Sequence, residues 1–257
     1  MSIVVTGATG HLGALIIDHV IKRGIAASAI TGAGRNPERL AALGPRGVQT
    51  AVIDYTDPVS LTAALHGADT LVLVSGTEVG QRVLQHGNVI AAAQAAGVTR
   101  IVYTSAPRAD TSALILAPEH RATEELIRAS GIPFTILRNN WYTENYQNLV
   151  SVARKTGTYL TSAGGGRVAS ASRTDYAEAV AVVVTTPGHE NATYELSGDV
   201  AWNGTDMAQT LTALLDAPVV FTPVGPEQHA AILRSAGLDE APSASSLPST
   251  ATSATDY

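Results

Sequence analysis

The stretch Val5-Thr6-Gly7-Ala8-Thr9-Gly10-His11-Leu12-Gly13 decides the fold of this chain. It continues an apolar run that starts at Ile3, and apolar residues at helical spacing follow it, so we predict a strand, a tight loop and a helix. Gly7 allows a sharp turn, Gly10 allows a phosphate group to approach the backbone, and Gly13 allows the helix to pack closely on the strand.

The start of this first helix is suited to an anion. Its first N–H groups have no partner within the helix, and the helix dipole is positive at that end. A strand, a glycine triad and a helix in this order are typical of a dinucleotide-binding Rossmann unit. The alternative is a glycine-rich turn in an unrelated α/β protein.

Composition narrows the class of protein. The 257 residues, 45% of them hydrophobic, suffice for one large domain or for one domain and a small lobe. The net charge of −6, with no basic stripe, argues against a nucleic-acid partner. The absence of cysteine excludes disulfides and thiol nucleophiles. With no signal peptide and no apolar run of membrane-spanning length, we expect a cytoplasmic protein without a membrane partner. No histidines and carboxylates stand at ligand spacing, so we expect no metal.

Strand-like and helix-like patterns alternate as far as Arg138. The nearly all-apolar run 68–74 is typical of a strand buried on both faces of a parallel sheet, and a second strand is predicted over 26–31. The alternation indicates an α/β protein, a doubly wound parallel sheet (Rossmann fold) with a smaller C-terminal α/β substrate lobe.

The predicted domain boundaries follow changes in composition. Residues 1–140 form an NAD(P)-binding Rossmann domain, and residues 141–238 form a smaller substrate-binding lobe, interleaved with the first. Residues 239–257 are rich in Ser, Thr and Pro with few large apolar side chains, so we expect a disordered tail.

The segment after the second strand indicates which dinucleotide binds. NAD-binding Rossmann units carry an acidic residue about 20 residues after the glycines, where it binds the ribose hydroxyls. Here residues 32–37 contain no acid but contain Arg35, whose guanidinium suits a 2′-phosphate, so NADP is favoured over NAD. The alternative for Arg35 is a solvated loop charge. After the third strand, Asp54 is either an acceptor for the adenine amino group or a turn former.

Ligands of open parallel sheets bind beyond the carboxyl ends of the strands. Ser75, Gly76 and Thr77 follow the fourth strand and are therefore expected to line the ribose and nicotinamide side of the cofactor. The polar, aromatic stretch 139–146 follows the sixth strand and suits a nicotinamide or an aromatic substrate, or else it starts a helix with surface aromatics. His86, in a helical apolar stripe, is either packed or catalytic.

The helix before the sixth strand lacks the Tyr-x-x-x-Lys pair with which short-chain dehydrogenases reduce carbonyl groups, although Ser105 is present at the end of the fifth strand. Acceptors that need no strong enzymic acid are therefore favoured. Quinones fit, because a hydroquinone anion is stable enough to take its proton from water.

With these residues assembled, the chain resembles the NmrA-like branch of atypical short-chain dehydrogenases, and within it the bacterial NADPH-dependent quinone oxidoreductase 2 group, with triphenylmethane reductase as a near relative. Beyond the glycine motif, the resemblance is carried by Arg35-Asn36-Pro37, Glu78-Val79-Gly80-Gln81-Arg82, Gln85-His86, Asn88-Val89-Ile90, Ala109-Asp110-Thr111-Ser112, the stretch from Leu137 to Tyr146, and Ser170 to Tyr176.

The resemblance implies NADPH binding and quinone reduction by direct hydride transfer without a flavin. The cofactor contacts that it implies are Gly7, Ala8, Thr9, Gly10, His11, Leu12, Arg35, Ser75, Gly76, Thr77, Leu137, Arg138, Asn139, Asn140, Trp141 and Tyr142. Candidate substrate contacts are Glu78, Trp141 and Tyr146, and candidate catalytic residues are Asn139, Tyr142 and His86.

Three functions stay open at this point. The first is an NADPH-dependent quinone reductase. The second is a non-catalytic NADP(H) sensor of NmrA type, because the Tyr/Lys pair is missing. The third is a reductase of triphenylmethane dyes or other conjugated acceptors. The expected partner is a small-molecule acceptor, and whether the protein forms a homodimer is left open.

Overall fold

The computed structural model describes residues 1–235. Its strands are β1 (Ile3–Val5), β2 (Ile30–Gly34), β3 (Gln49–Val52), β4 (Thr70–Leu73), β5 (Arg100–Ser105), β6 (Phe134–Asn139), β7 (Thr158–Thr161), β8 (Ala192–Leu196) and β9 (Val220–Pro223). Its α-helices are α1 (His11–Lys22), α2 (Pro37–Ala41), α3 (Pro58–Leu65), α4 (Arg82–Ala95), α5 (Ala117–Ala129), α6 (Gln147–Thr156), α7 (Arg173–Thr185), α8 (Gly204–Leu215) and α9 (Pro226–Ser235). Within residues 1–235, none of the helices has the length and apolar character needed to cross a membrane.

Seven parallel strands form the main sheet, in the order β3-β2-β1-β4-β5-β6-β8. Helix α1 packs on α7, while α3, α4 and α5 pack side by side, so helices flank the sheet as the doubly wound prediction requires. The strand order reverses between β1 and β4, whose register pairs Val4 with Leu71. The crevice beyond the carboxyl ends of these two strands is where such sheets bind ligands.

The chain divides into two compact units. The first holds Met1–Ser112, Leu116–Asn140 and Ser172–Leu196, and the second holds Ala113–Ile115, Trp141–Ala171 and the described residues from Ser197 onward. The predicted domain end at residue 140 coincides with a division between the units. Within the range of the predicted interleaved lobe, 141–238, α7 and β8 belong to the first unit. Their sequence gives no sign of this, since β8 joins the sheet only through pairing with β6.

The second strand lies later than the predicted 26–31. Ala27–Ala29 form a 3₁₀ turn, and β2 starts at Ile30 and continues through two glycines. Small alanine and serine side chains favour strands weakly, which explains the turn. A methyl group on Gly32 would lie 2.6 Å from the Leu43 side chain, so this strand position is glycine for a packing reason.

The second unit has its own small core. β7 and β9 pair in parallel, and Tyr159, Leu211 and Val219 pack together beneath them. Gly204 starts α8 against the ring of Phe221, where a methyl group would lie 2.4 Å from the ring. Helix α6 follows the stretch 139–146 directly, as the alternative interpretation of that stretch as a helix start has it, whereas strand β7 is not predicted from the sequence. The predicted tail 239–257 lies outside the described residues.

Candidate functional site

The glycine loop connects β1 to α1. Gly7 has a φ of +61°, which a residue with a side chain adopts only with strain. Gly10 donates its N–H to the Gly7 carbonyl oxygen at 2.9 Å. A methyl group on Gly13 would lie 2.3 Å from the same oxygen, so glycine alone lets α1 approach the loop this closely. The loop therefore has the tight turn that its glycine spacing predicts.

Helix α1 starts with backbone donors that the helix does not use. Its capping residue, Gly10, offers no side-chain cap, and the first helical hydrogen bond runs from Ala14 N–H to the Gly10 carbonyl at 3.1 Å. The N–H groups of His11, Leu12 and Gly13 precede that bond and stand at the positive end of the helix dipole. This end of α1 is therefore an anion-binding position.

Three loops meet at the carboxyl ends of β1, β2 and β4. A methyl group on Gly34, the last residue of β2, would lie 3.4 Å from the Thr9 side chain. One on Gly7 would lie 3.4 Å from Val74, just beyond β4. The structure thus brings the predicted glycine loop, the Arg35 segment and the segment after β4 together at one edge of the sheet.

Arg35 lies on the surface at this edge, with 68% of its side chain exposed. Its guanidinium donates to Glu78, and the second oxygen of Glu78 accepts from Gln85 Nε2 at 2.8 Å. Hydrogen bonds from Gln85 and Arg35 hold the pKa of Glu78 below its usual value. The position of Arg35 suits the predicted phosphate contact. Glu78 is the partner of Arg35, and its predicted substrate contact stays a prediction.

Gly76, in the loop after β4, is held through both of its backbone polar groups. His86 Nε2 accepts from the Gly76 N–H at 3.0 Å, and Arg82 Nε donates to the Gly76 carbonyl at 2.9 Å. Arg82 and His86 are one turn apart on α4, and both are buried. The preceding residue, Ser75, donates its N–H to Thr104 Oγ1 at 3.0 Å. This loop is therefore fixed before any ligand arrives.

Helix α5 supports the two side chains that hold Gly76. Glu119 forms a buried ion pair with Arg82 and also accepts from the Gly80 N–H at 2.5 Å. Thr123, one turn later, contacts His86 Nδ1 at 3.1 Å and donates to the Glu119 carbonyl. Because His86 Nε2 accepts, its Nδ1 carries the proton and donates to Thr123.

His86 is enclosed and neutral. Its side chain has no exposed surface, and burial lowers its pKa to about 3. Both ring nitrogens are used within the protein, so the structure gives His86 the role of holding Gly76 and does not support a role as catalyst. His120 is buried beside it, bonded to the Tyr103 hydroxyl at 2.8 Å, and burial lowers its pKa to about 3 as well.

Arg138, at the end of β6, is the centre of a buried charge cluster. It forms two hydrogen bonds with Glu124, from Nε at 2.9 Å and from Nη2 at 2.7 Å, and its Nη1 binds Asp110 at 3.1 Å and Glu195 at 2.9 Å. These carboxylates, first among them Glu124, raise the pKa of Arg138 above its usual value. The guanidinium is thus committed to protein carboxylates, and the predicted cofactor contact of Arg138 stays a prediction.

The neighbours of Arg138 at this edge are largely buried. Ser105 donates to Glu124 at 2.6 Å, so its hydroxyl also belongs to the charge cluster. Leu137 and Asn139 are themselves buried. Asn140 donates its N–H to the Leu196 carbonyl at 3.0 Å. The predicted cofactor contacts of Leu137, Asn139 and Asn140 stay predictions.

Asp54 is a turn former in this structure. Its Oδ1 accepts from the Thr56 N–H at 2.8 Å and from the Thr56 hydroxyl at 2.7 Å, and these bonds lower its pKa. This confirms one of the two sequence interpretations of Asp54. The adenine contact stays a prediction.

Three predicted aromatic residues belong to the second unit. Tyr142 and Ala171 form a parallel bridge, and Trp141 is half-buried beside them. Tyr146 is buried, with its ring edge-on to Trp202 at 4.9 Å between centroids. Tyr146 therefore packs within the second unit, which is a simpler role than the predicted substrate contact. Roles for Trp141 and Tyr142 stay predictions.

The residues that position the loops were not predicted from the sequence. Arg82 with Glu119, and Arg138 with Glu124, are ion pairs between different elements, joining residues 37 and 14 positions apart in the chain. Among residues 1–235, no three histidine, aspartate or glutamate side chains are grouped as a metal ion would require.

The NAD(P)H-binding family matches residues 7–187 of this chain, more than half of its length. The chain belongs to this family. Its relatives in the family include quinone oxidoreductase 2 of Escherichia coli, which is 46% identical over 238 residues, covering 93% of this chain and 83% of the relative. The resemblance identified from the sequence motifs is thereby confirmed.

Two solved structures agree with the family assignment. The crystal structure of E. coli quinone oxidoreductase 2 complexed with NADPH matches with a TM-score of 0.89 and 46% identity, over 92% of this chain and 83% of that one. Citrobacter sp. triphenylmethane reductase, complexed with NADP(H), matches with a TM-score of 0.89 and 40% identity, over 92% of this chain and 84% of that one. The Rossmann-type fold is shared across these reductases.

Proposed function

We propose that this protein is an NADPH-dependent oxidoreductase that reduces quinones by direct hydride transfer, without a flavin or a metal. The observation that carries the proposal is the 46% identity to E. coli quinone oxidoreductase 2 over 93% of the chain. A cytoplasmic location stays a prediction of the sequence, and whether the protein forms a homodimer stays open.

The residues of the first unit fit a bound NADPH. Glycine at position 13 lets α1 pack closely on the glycine loop, and the first N–H groups of α1 have no side-chain cap that would compete with an anion. Arg35, exposed at the end of β2, can bind a 2′-phosphate through two parallel hydrogen bonds. Ser75, Gly76 and Thr77 stand on the loop after β4, where the ribose and nicotinamide side is expected.

When bound, NADPH supplies the hydride, and the protein's task is to hold the nicotinamide and the acceptor in place. Arg82 and His86 fix the Gly76 peptide, so the loop beside the cofactor needs no reorganisation on binding. Arg138 and Glu124 fix the ends of β5 and β6 in the same way.

The arrangement favours an acceptor that needs no strong acid from the protein. The Ser105 hydroxyl donates to Glu124 and is therefore not available as a proton donor to substrate. His86 is enclosed. A quinone meets this condition, because the hydroquinone anion takes its proton from water. The 40% identity to triphenylmethane reductase favours triphenylmethane dyes or other conjugated acceptors as a second acceptor class.

The test is the loss of NADPH absorbance with 1,4-benzoquinone, a larger quinone and a triphenylmethane dye, each with NADH in parallel. Quinones oxidise NADPH slowly unaided, so every rate is compared with one measured without enzyme. Enzyme-dependent turnover of quinones with preference for NADPH supports the proposal. Turnover of the dye alone would show that the acceptor is a triphenylmethane dye and not a quinone. Tight NADPH binding without turnover of any acceptor contradicts it and favours the non-catalytic sensor.

A further inference from the structure

Glu78 pairs with the Arg35 guanidinium, the group that would bind the 2′-phosphate. Of the Glu78 side chain, 41% is exposed, so this pair lies at the surface. The other oxygen of Glu78 is anchored by Gln85, which is buried on α4. Because both of its oxygens are bonded, the Glu78 carboxylate stays next to Arg35, whereas a mobile surface carboxylate would form this ion pair only part of the time.

The charges around Arg35 do not favour a second anion. Glu78 and Asp54 each interact electrostatically with Arg35, and they also interact with each other. The guanidinium of Arg35 therefore already has two carboxylates near it. Asp54 is turned toward Thr56 by two hydrogen bonds, whereas Glu78 contacts the guanidinium directly. Of the two, Glu78 is therefore the one that an incoming phosphate would meet.

We propose that Glu78 limits the preference for the 2′-phosphorylated dinucleotide, because it holds Arg35 in an ion pair that the 2′-phosphate has to displace. This inference rests on the proposed NADPH binding. A phosphate carries more charge than a carboxylate and can form a bidentate pair with Arg35, so the exchange favours the ligand, but part of the binding energy goes into breaking the existing pair. NAD has no group that competes for Arg35, so its affinity does not depend on this exchange.

The test is calorimetric titration of the full chain with NADP⁺ and with NAD⁺, which differ only in the 2′-phosphate. Glu78→Gln keeps the size of the side chain and its bond to Gln85 but removes the charge that holds Arg35. We expect the Kd for NADP⁺ to fall about two- to fivefold, the range for a partly exposed ion pair, while the Kd for NAD⁺ changes by less than about twofold. Glu125→Gln, on α5, removes one negative charge from another exposed ion pair, with Arg121, and is the matched control.

An Arg35→Gln background separates competition for Arg35 from simple charge repulsion. There, Glu78→Gln has no guanidinium to release, so we expect it to leave the Kd for NADP⁺ unchanged. The same tightening in both backgrounds overturns the proposal, because Glu78 then repels the phosphate directly. Weaker NADP⁺ binding, or a change in the Kd for NAD⁺ alone, also overturns it, since Glu78 then orients Arg35 or binds the ribose. A wild-type protein that binds NADP⁺ no better than NAD⁺ refutes the Arg35 phosphate contact itself, and with it the role of Glu78.

Discussion

Replacing Arg138 with methionine tests whether the buried charge cluster stabilises the carboxyl edge of the sheet. The substitution keeps an aliphatic stem but removes the guanidinium, and Glu124, with only 3% of its surface exposed, is then left as a buried carboxylate without its cation. Asp110 and Glu195 have access to water, so their share of the cost is small. Removing one partner of a buried ion pair costs about 3–5 kcal/mol.

That cost is a large part of a typical folding free energy of about 5–15 kcal/mol. For a chain of this length each kcal/mol moves the midpoint of thermal unfolding by about 2–4 °C, so we expect Arg138→Met to lower Tm by roughly 6–20 °C. The assay is thermal unfolding followed by circular dichroism at neutral pH, supported by urea unfolding at constant temperature.

A second arginine on the same carboxylate supplies the control. Arg128 lies one turn after Glu124 on α5, at 3.9 Å from it, with 45% of its side chain exposed. Arg128→Met should cost about 1 kcal/mol or less. Adding Glu124→Gln to Arg138→Met removes the uncompensated charge and should restore part of the stability. If Arg138→Met lowers Tm no more than Arg128→Met, or if Glu124→Gln restores nothing, the reasoning about the buried charge is refuted.

Two further predictions concern the glycine loop and the buried histidines. Gly13→Ala brings a methyl group against the loop backbone, so we expect calorimetry to show about a tenfold higher Kd for NADP⁺. Gly87→Ala on α4, where a methyl group makes only ordinary contacts, is the control and should bind NADP⁺ normally. Equal affinities of the two variants would contradict the close approach of α1 to the loop. Burial lowers the pKa of His86 and of His120 to about 3, so between about pH 6.5 and 3 the unfolded chain binds up to two more protons than the folded one. The free energy of unfolding should therefore decrease as the pH falls through this window, by up to about 2.7 kcal/mol per pH unit, and urea unfolding measures it. His120→Gln should roughly halve that slope and the exposed His66→Gln should not, and a slope that His120→Gln leaves unchanged would show that His120 does not contribute.

The local features of the site could be predicted from sequence because they depend on neighbouring residues. The glycine spacing fixes the turn at Gly7 and the start of α1, and the absence of an acid between residues 32 and 37 is visible without a structure. The alternation of strands and helices likewise predicts the parallel sheet, since each unit has a readable period.

The interactions that hold the site depend on residues far apart in sequence. Glu195 is 57 residues from Arg138, and nothing local indicates that β8 pairs with β6 and brings the two together. Glu78 was expected to contact substrate, but its partner, Arg35, lies 43 residues away on another strand end. Ion pairs between residues this far apart need the tertiary fold before either residue can be given a role.

The most direct test of the central claim is the initial-rate pattern with NADPH and 1,4-benzoquinone as varied substrates. Direct hydride transfer without a flavin requires both substrates to be bound at once, so double-reciprocal plots should intersect, and the purified protein should show no flavin absorbance. Parallel lines would indicate that an intermediate carrier is reduced and reoxidised in turn. That pattern, or the absence of any enzyme-dependent rate, would contradict the account.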